Sequence, residues 1–300
     1  MKLSFDKPRR REQPLMFFMG RTNGKGNSIM MPTKWKPEHK LFPQQVGFTC
    51  PPFDFDAAPS DFSRIAPETV GVHGWMLHVP DYVHGLDQRK QNFGMLDDFC
   101  HCMSRNGADV AAQIGSNWVH ASGLGVEGIR QHCAALSDKY GLHFHMAGYA
   151  MVEALRAMNV EKVALNAAYH WPAWWQGTVG FLKEAGFDVL WAGNFHDQGW
   201  FETQDEVNEC RWVFEGDLAK KSFEYVAEQA PHADAILING MCNFRTGPNK
   251  QPQRPLQITK VLEDALGKPV IGHDTALYWR IFKSLGIKPN GQHGRLLEGL

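Results

Sequence analysis

No stretch of this 300-residue chain approaches the roughly 18 consecutive apolar residues that a membrane-spanning helix needs. The opening Met1-Lys2-Leu3-Ser4-Phe5-Asp6 lacks the apolar run and small-residue cleavage site of a secretory signal. The six cysteines (Cys50, Cys100, Cys102, Cys133, Cys210, Cys242) show no disulfide-framework spacing and no C-x-x-C pair. Together these absences lead to the expectation of a cytoplasmic protein with reduced thiols. A charge excess is missing as well, the net being −1. With no nucleic-acid motif and no membrane segment, the expected partner is a small molecule. What is present, 43% hydrophobic and 21% charged residues, suits a globular chain able to bury one large or two medium cores.

Charge is nevertheless uneven. Residues 1–40 hold ten Lys/Arg and three Asp/Glu, so they carry +7 and the remainder −8. This Met-, Pro- and Gly-rich stretch has no core periodicity. It reads as a basic arm, residues 1–43, expected at the interface of a homo-oligomer rather than on nucleic acid or lipid.

Two segments echo each other: Gly107-Ala108-Asp109-Val110-Ala111-Ala112-Gln113-Ile114-Gly115-Ser116-Asn117 and His232-Ala233-Asp234-Ala235-Ile236-Leu237-Ile238-Asn239-Gly240-Met241-Cys242. In each, Ala-Asp opens an apolar run that reaches Gly six residues after the Asp. Such runs read as buried parallel strands ending in loops, and parallel α/β sheets bind ligands at their C-terminal tips. Further strands are expected at Val46–Cys50, Val70–Leu77, Leu142–Met146, Val163–Asn166, Phe187–Trp191 and Pro269–Ile271. Helices are expected over 88–105, 126–139, 149–158, 172–185, 217–229, 257–266 and 275–285. This alternation implies parallel βαβ units. The fold class is therefore α/β, with two pseudosymmetric Rossmann-like lobes, parallel sheets and a shared cleft. The first lobe is residues 44–148 plus 268–300 and the second is 149–267. Aligning Val46 with Val163 sets Pro52 opposite Tyr169 and Asp54 opposite Trp171.

Several motifs lose to plainer readings. Gly123-Leu124-Gly125-Val126-Glu127-Gly128 fits G-x-G-x-x-G, but an eight-residue loop separates it from its strand and no suitable acid follows. Gly20 to Gly26 lacks the spacing and Ser/Thr of a phosphate loop. His143 and His145 share one strand face and Cys100-His101-Cys102 is a loose cluster, yet neither finds further ligands at a diagnostic spacing. No metal and no cofactor are expected. Trp171, Trp174 and Trp175 share a helical face, as core packing, a lid or an aromatic wall over a substrate.

Val46-Gly47-Phe48-Thr49-Cys50-Pro51-Pro52, the Asp109–Asn117 tip, the segment Val152–Leu165 and Leu266-Gly267-Lys268-Pro269-Val270-Ile271 together resemble the aspartate/glutamate racemase superfamily. The branch they resemble most is the arylmalonate decarboxylase and maleate cis-trans isomerase group. The resemblance covers about Val46 to Leu297. It implies cofactor-free chemistry between two α/β lobes. Racemases and isomerases of this group carry a cysteine at each echoing tip, where this chain has Gly115 and Gly240. The decarboxylase branch has Gly followed by small hydroxyl residues at the first tip, as in Gly115-Ser116-Asn117. At the second tip its cysteine is displaced here by one or two residues, to Cys242 in Gly240-Met241-Cys242. Asp54 and Asp274 stand where relatives carry Asn.

The expected function is a cofactor-independent lyase, decarboxylase-like, or an isomerase acting on a small carboxylic acid. The resemblance implies Cys242 as proton donor or nucleophile, with Asp54 second and His170 and His273 next. Substrate binding falls to Pro51, Pro52, Gly115, Ser116, Asn117, Tyr169, Gly240, Met241 and Asn243. Two alternatives stand beside it: a hydrolase or C–N/C–S lyase driven by Asp54 or a histidine, and a non-catalytic binding paralogue that has lost both cysteines.

Overall fold

Two runs of apolar residues, each opened by an aspartate, organise the molecule. The computed structural model describes residues 35–50, 56–239, 243–246 and 248–300. Pro51, Pro52, Asp54, Gly240, Met241 and Cys242 therefore lie outside the described residues, as does most of the basic arm. Of the arm's last residues, Trp35 donates its ring N–H to Arg105 O at 2.9 Å and Lys40 Nζ pairs with Asp109 at 2.8 Å.

In the first lobe the chain runs β1 (Gln44–Cys50), α1 (Ala58–Ile65), β2 (Val70–Met76), α2 (Leu86–Gln91), α3 (Met95–Arg105), β3 (Val110–Gln113), α4 (Asn117–Ala121), α5 (Gly125–Tyr140) and β4 (His143–Met146). Helix α6 (Ala147–Ala157) crosses to the second lobe. There follow β5 (Lys162–Ala168), α7 (Pro172–Glu184), β6 (Asp188–Asn194), α8 (Gln204–Glu209), β7 (Val213–Glu215), α9 (Gly216–Gln229), β8 (Ala235–Ile238), β9 (Asn243–Thr246), β10 (Gln251–Gln253), α10 (Pro255–Leu266) and β11 (Val270–Gly272). Helices α11 (His273–Leu285) and α12 (Arg295–Glu298) close the chain.

Among the described residues, strands pair in the order β2-β1-β3-β4 in one sheet and β6-β5-β8-β11 in the other. All these pairings are parallel. The two orders are the same when strands are counted within each lobe, so the pseudosymmetry expected from the echo is present. Register repeats it: Val46 lies beside Val110, and Val163 beside Ala235.

The echoing aspartates do the same work in both halves. Asp109 N donates to Gln45 O at 2.8 Å while its carboxylate accepts from Gln45 N at 2.8 Å. Asp234 N donates to Lys162 O at 2.8 Å and its carboxylate accepts from Lys162 N at 2.8 Å and Glu161 N at 3.0 Å. Each aspartate thus satisfies backbone donors where the neighbouring strand enters its sheet, a local demand that explains why the same residue opens both runs.

Three sequence expectations change. The helix over 88–105 is two helices, because Asn92 folds its side-chain amide back onto Gln88 O at 2.8 Å and Gly94 caps the next start. The strand at 270–272 was expected with the first lobe, but it pairs with β8 in the second sheet, so the chain returns only at α11, which packs on α6, β3 and β4. A third, small sheet, β10-β9-β7, was not foreseen; its strands are three or four residues long and carry no alternating pattern. Contacts join both lobes into one unit, Lys34–Leu300.

Candidate active site

The two echoing tips meet. Gly115 has φ of +92°, a conformation that L side chains rarely adopt, and this turns the chain out of β3 into α4. The turn buries Ser116, which is 2% exposed, and its Oγ donates a hydrogen bond to Oδ1 of Asn239, the first residue past β8. Asn239 is fixed on its other side, where Nδ2 donates to Thr178 Oγ1 of α7 at 3.0 Å. Asn117 Oδ1 lies 3.2 Å from His120 Nε2. Helices α4 and α7 approach closely because residue 177 is glycine: a Cβ there would come within 2.4 Å of His120 Nδ1.

A β-bulge shapes the third wall. Register slips in β5 between Asn166 and Ala168, and Ala168 sits at φ +51°. Bulges of this kind re-aim the residues that follow them. Here these are Tyr169 and His170, and side-chain amides lock both: Gln204 Nε2 donates to Tyr169 O at 3.1 Å and Asn194 Nδ2 to His170 O at 2.8 Å. Beneath them Asn166, Gln198 and Ser222 form a closed buried network, with Asn166 Nδ2 to Ser222 Oγ at 2.6 Å and Ser222 Oγ to Gln198 Oε1 at 2.6 Å.

Aromatic rings cluster beside the bulge. Trp171 and Trp174 stand edge to face at 4.6 Å, His84 lies 5.1 Å from Trp212 and 6.2 Å from Trp171, and Tyr169 lies 5.9 Å from Trp212. Trp212 is held there by a costly backbone, since Arg211 and Trp212 both have positive φ (47° and 64°). Consecutive strained residues of this kind cluster at functional sites. The guanidinium of Arg89 stacks over Trp174 at 4.6 Å. Trp171, Trp174 and Trp212 therefore gather around His84 beside Tyr169 and His170, while Trp175 packs against the first core.

Sequence-derived candidates separate accordingly. Gly115, Ser116 and Asn117 come together with Asn239 at the joined tips, while Tyr169 follows the neighbouring strand β5 and packs on Trp212 and Phe214. Asn243 starts β9, and its N–H is spent on Trp212 O at 2.9 Å. His143 and His145 lie on β4 at the edge of the first sheet; their rings stack 6.2 Å apart and His145 Nε2 is 2.8 Å from Ser284 Oγ. Sequence reasoning missed Asn239 and the amides behind Tyr169. Asn239 stood inside the echo, one residue before Gly240, and was legible there; Gln204 and Asn194 carried no local signal.

Electrostatics around the tips favour uncharged histidines. Burial lowers His84 to about 4 and His120 to about 4, each with Arg89 adding to the shift. Burial likewise lowers His273 to about 4, and Asp274 only partly opposes it. His170 falls well below its ordinary value through burial, His273 and Arg89. Behind this wall Arg254 meets three buried carboxylates: Asp56 at 3.6 Å, Asp61 in closer contact and Asp274 at 3.2 Å. Burial pushes Asp56 up to about 6 against the pull of Arg254.

A pH dependence follows. Histidines whose folded pKa is depressed bind protons only on unfolding, so they weaken the fold as pH falls from about 6.5 toward 4. Asp56, Asp61, Glu153 and Glu263 act in the opposite sense, because burial raises their folded pKa. Six histidines, His84, His120, His132, His145, His170 and His273, are lowered and outweigh them. The urea midpoint should therefore drop steadily between pH 7 and about 4.5, with His170 and His273 each contributing up to about 1.4 kcal/mol per pH unit. A midpoint that rises on acidification would contradict this.

A family model described as arylmalonate decarboxylase matches residues 93–297. The chain belongs to the arylmalonate decarboxylase family. Solved structures carry the same fold. A crystal structure of arylmalonate decarboxylase shares 20% identity at a TM-score of 0.63, covering 85% of this chain and 99% of that one. The maleate isomerase Iso from Pseudomonas putida S16 shares 17% at a TM-score of 0.66, covering 85% and 98%. A cysteine-to-serine mutant of Nocardia farcinica maleate cis-trans isomerase, with a covalently bound succinylcysteine intermediate, shares 16% at 0.62, covering 86% and 99%. No curated protein matches in sequence. The superfamily branch and the two-lobed α/β class read from the sequence are borne out. No helix among the described residues is long and apolar enough to cross a membrane.

Proposed function

We propose that this member of the arylmalonate decarboxylase family is a cofactor-independent decarboxylase or isomerase of small carboxylic acids, acting where the β3 and β8 tips meet. The observation that carries the reading is the buried Ser116–Asn239 hydrogen bond. It joins the two halves of the internal repeat at the strand ends where parallel sheets bind ligands. Ser116, Asn117 and backbone N–H groups around Gly115 and Gly240 would hold the substrate carboxylate and the enediolate-like charge that develops after C–C or C–H cleavage. Fixed donors aimed at developing charge act without reorganising, and this is usually the largest catalytic term. In the free protein the one hydrogen of the Ser116 hydroxyl goes to Asn239 Oδ1. On substrate binding it turns to the carboxylate, while Asn239 stays pinned by Thr178. Tyr169, held through its carbonyl by Gln204, closes the third side.

The proton donor or nucleophile is Cys242, which follows the β8 tip in sequence, and Asp54, which follows β1, the strand beside β3, is the second candidate. The basic arm belongs to a subunit interface of a cytoplasmic homo-oligomer. One observation favours a second reading: glycine stands at the second tip, where the decarboxylase branch carries cysteine, as well as at the first, where the racemases and isomerases do. A binding protein that has lost its chemistry would then retain carboxylate affinity without turnover.

Ser116→Ala decides between them. On arylmalonates and maleate, the substitution should cut turnover by about 10²–10³ with a small change in KM, as expected for a lost donor to the transition state. Unchanged turnover would remove Ser116 from the site. Tight carboxylate binding by wild-type protein with no turnover of any of these acids would establish the non-catalytic reading.

A further inference from the structure

Three buried ring nitrogens beside the joined tips have no hydrogen-bond partner among the described residues: Nδ1 of His170 and both Nδ1 and Nε2 of His273. The side chains are deeply buried, His170 being 3% and His273 1% exposed. They flank the β8 tip from its two neighbouring strands. His170 lies two residues past β5, and His273 is the first residue past β11. Gly272 pairs with Ile238, so His273, which opens α11, leaves the sheet next to the point where Asn239 leaves β8. His273 adds to the lowering of His170, so the two rings lie within electrostatic reach of one another.

Buried polar atoms in native proteins are almost always partnered, and three orphans at one place point to a guest. Their chemistry says which guest. A neutral imidazole presents one N–H donor and one bare acceptor nitrogen. The pair therefore offers a mixed set, suited to a group that both donates and accepts. An anion is disfavoured here, because Asp274 follows His273 directly and Asp56 and Asp61 share the one guanidinium of Arg254 with it.

We propose that His170 and His273 bind a hydroxyl group of the substrate, which makes the preferred substrate a hydroxylated carboxylic acid rather than its unsubstituted analogue. This rests on the reading above, in which the adjacent Ser116–Asn239 junction holds the carboxylate. The substrate hydroxyl donates to one imidazole nitrogen and accepts an N–H from the other ring. A resident water would satisfy the same atoms, and the hydroxyl displaces it.

Tartronate and malonate test this, since they differ by one hydroxyl and share both carboxylates. The full chain, labelled with 15N-histidine, is titrated with each, the ring signals being assigned through His170→Gln and His273→Gln. Tartronate should bind about ten- to a hundredfold tighter than malonate, the range expected for one well-made hydrogen bond to a buried partner. It should also move both ring signals, which malonate leaves in place, and His273→Gln should erase the preference. Equal affinities with unmoved rings would overturn the proposal and leave the pair as a water site. Failure of both probes to bind would instead overturn the carboxylate site on which it rests. Should either variant fail to fold, the wild-type affinity ratio and the pattern of moved histidine signals still decide.

Discussion

Replacing Arg254 with methionine should cost the fold about 3–5 kcal/mol, the range seen when one partner of a buried ion pair is removed. The reason is local. Arg254 is buried, at the start of α10, and pairs with Asp56, Asp61 and Asp274, of which Asp61 also has the exposed Arg64 at 3.8 Å. Asp56 and Asp61 belong to the first lobe; Arg254 caps the second, and Asp274 opens α11, the helix that returns to the first. Without the guanidinium three carboxylates face one another in a low-dielectric interior. The loss should shrink as pH falls below about 6, because Asp56 takes up a proton near there and no longer needs a counter-ion. Urea melts at pH 7.5 and near pH 5 measure both effects. A loss under about 1 kcal/mol at the higher pH would show that the cluster is not a clamp between the lobes.

Cys242→Ser should lower turnover by about 10²–10⁴, the span expected when a general acid or base is lost, because a hydroxyl is far less acidic than a thiol. Binding should change little, since oxygen and sulfur differ modestly in size. Asp54→Asn separates the competing assignment: it restores the residue type of related isomerases and should leave most activity if Cys242 moves the proton. Collapse in Asp54→Asn with near wild-type rates in Cys242→Ser would make the carboxylate the base. Full activity in both would pass the role to a histidine. Single-turnover kinetics on each variant distinguish a chemical defect from a binding one.

The parts of this molecule that were legible in the sequence are those governed by local pattern. Buried parallel strands read as short apolar runs, so β3, β5 and β8 were evident, and the Ala-Asp echo exposed the repeat because each aspartate answers the same backbone demand at a strand entry. Ser116 and Asn117 were legible as small polar residues after a strand-ending glycine. What stayed hidden depends on tertiary placement. Arg254 lies about 200 residues from Asp56 and Asp61, and nothing in its own segment marks it as their counter-ion. His170 and His273 looked like two among fourteen histidines. Only the sheet order, which sets them on either side of Asn239, gives them a shared role. The β11 strand was misassigned for the same reason, since three apolar residues do not say which sheet they join.

The central claim is that the junction of the two echoing tips holds a carboxylate. A crystal structure of the chain with malonate tests it most directly. The account predicts one carboxylate at the Ser116–Asn239 junction, within hydrogen-bond distance of Ser116 Oγ and of backbone N–H groups on both tips, with Cys242 or Asp54 beside the central carbon. Malonate bound elsewhere, with the Ser116–Asn239 bond sealed and no space between the tips, would contradict it.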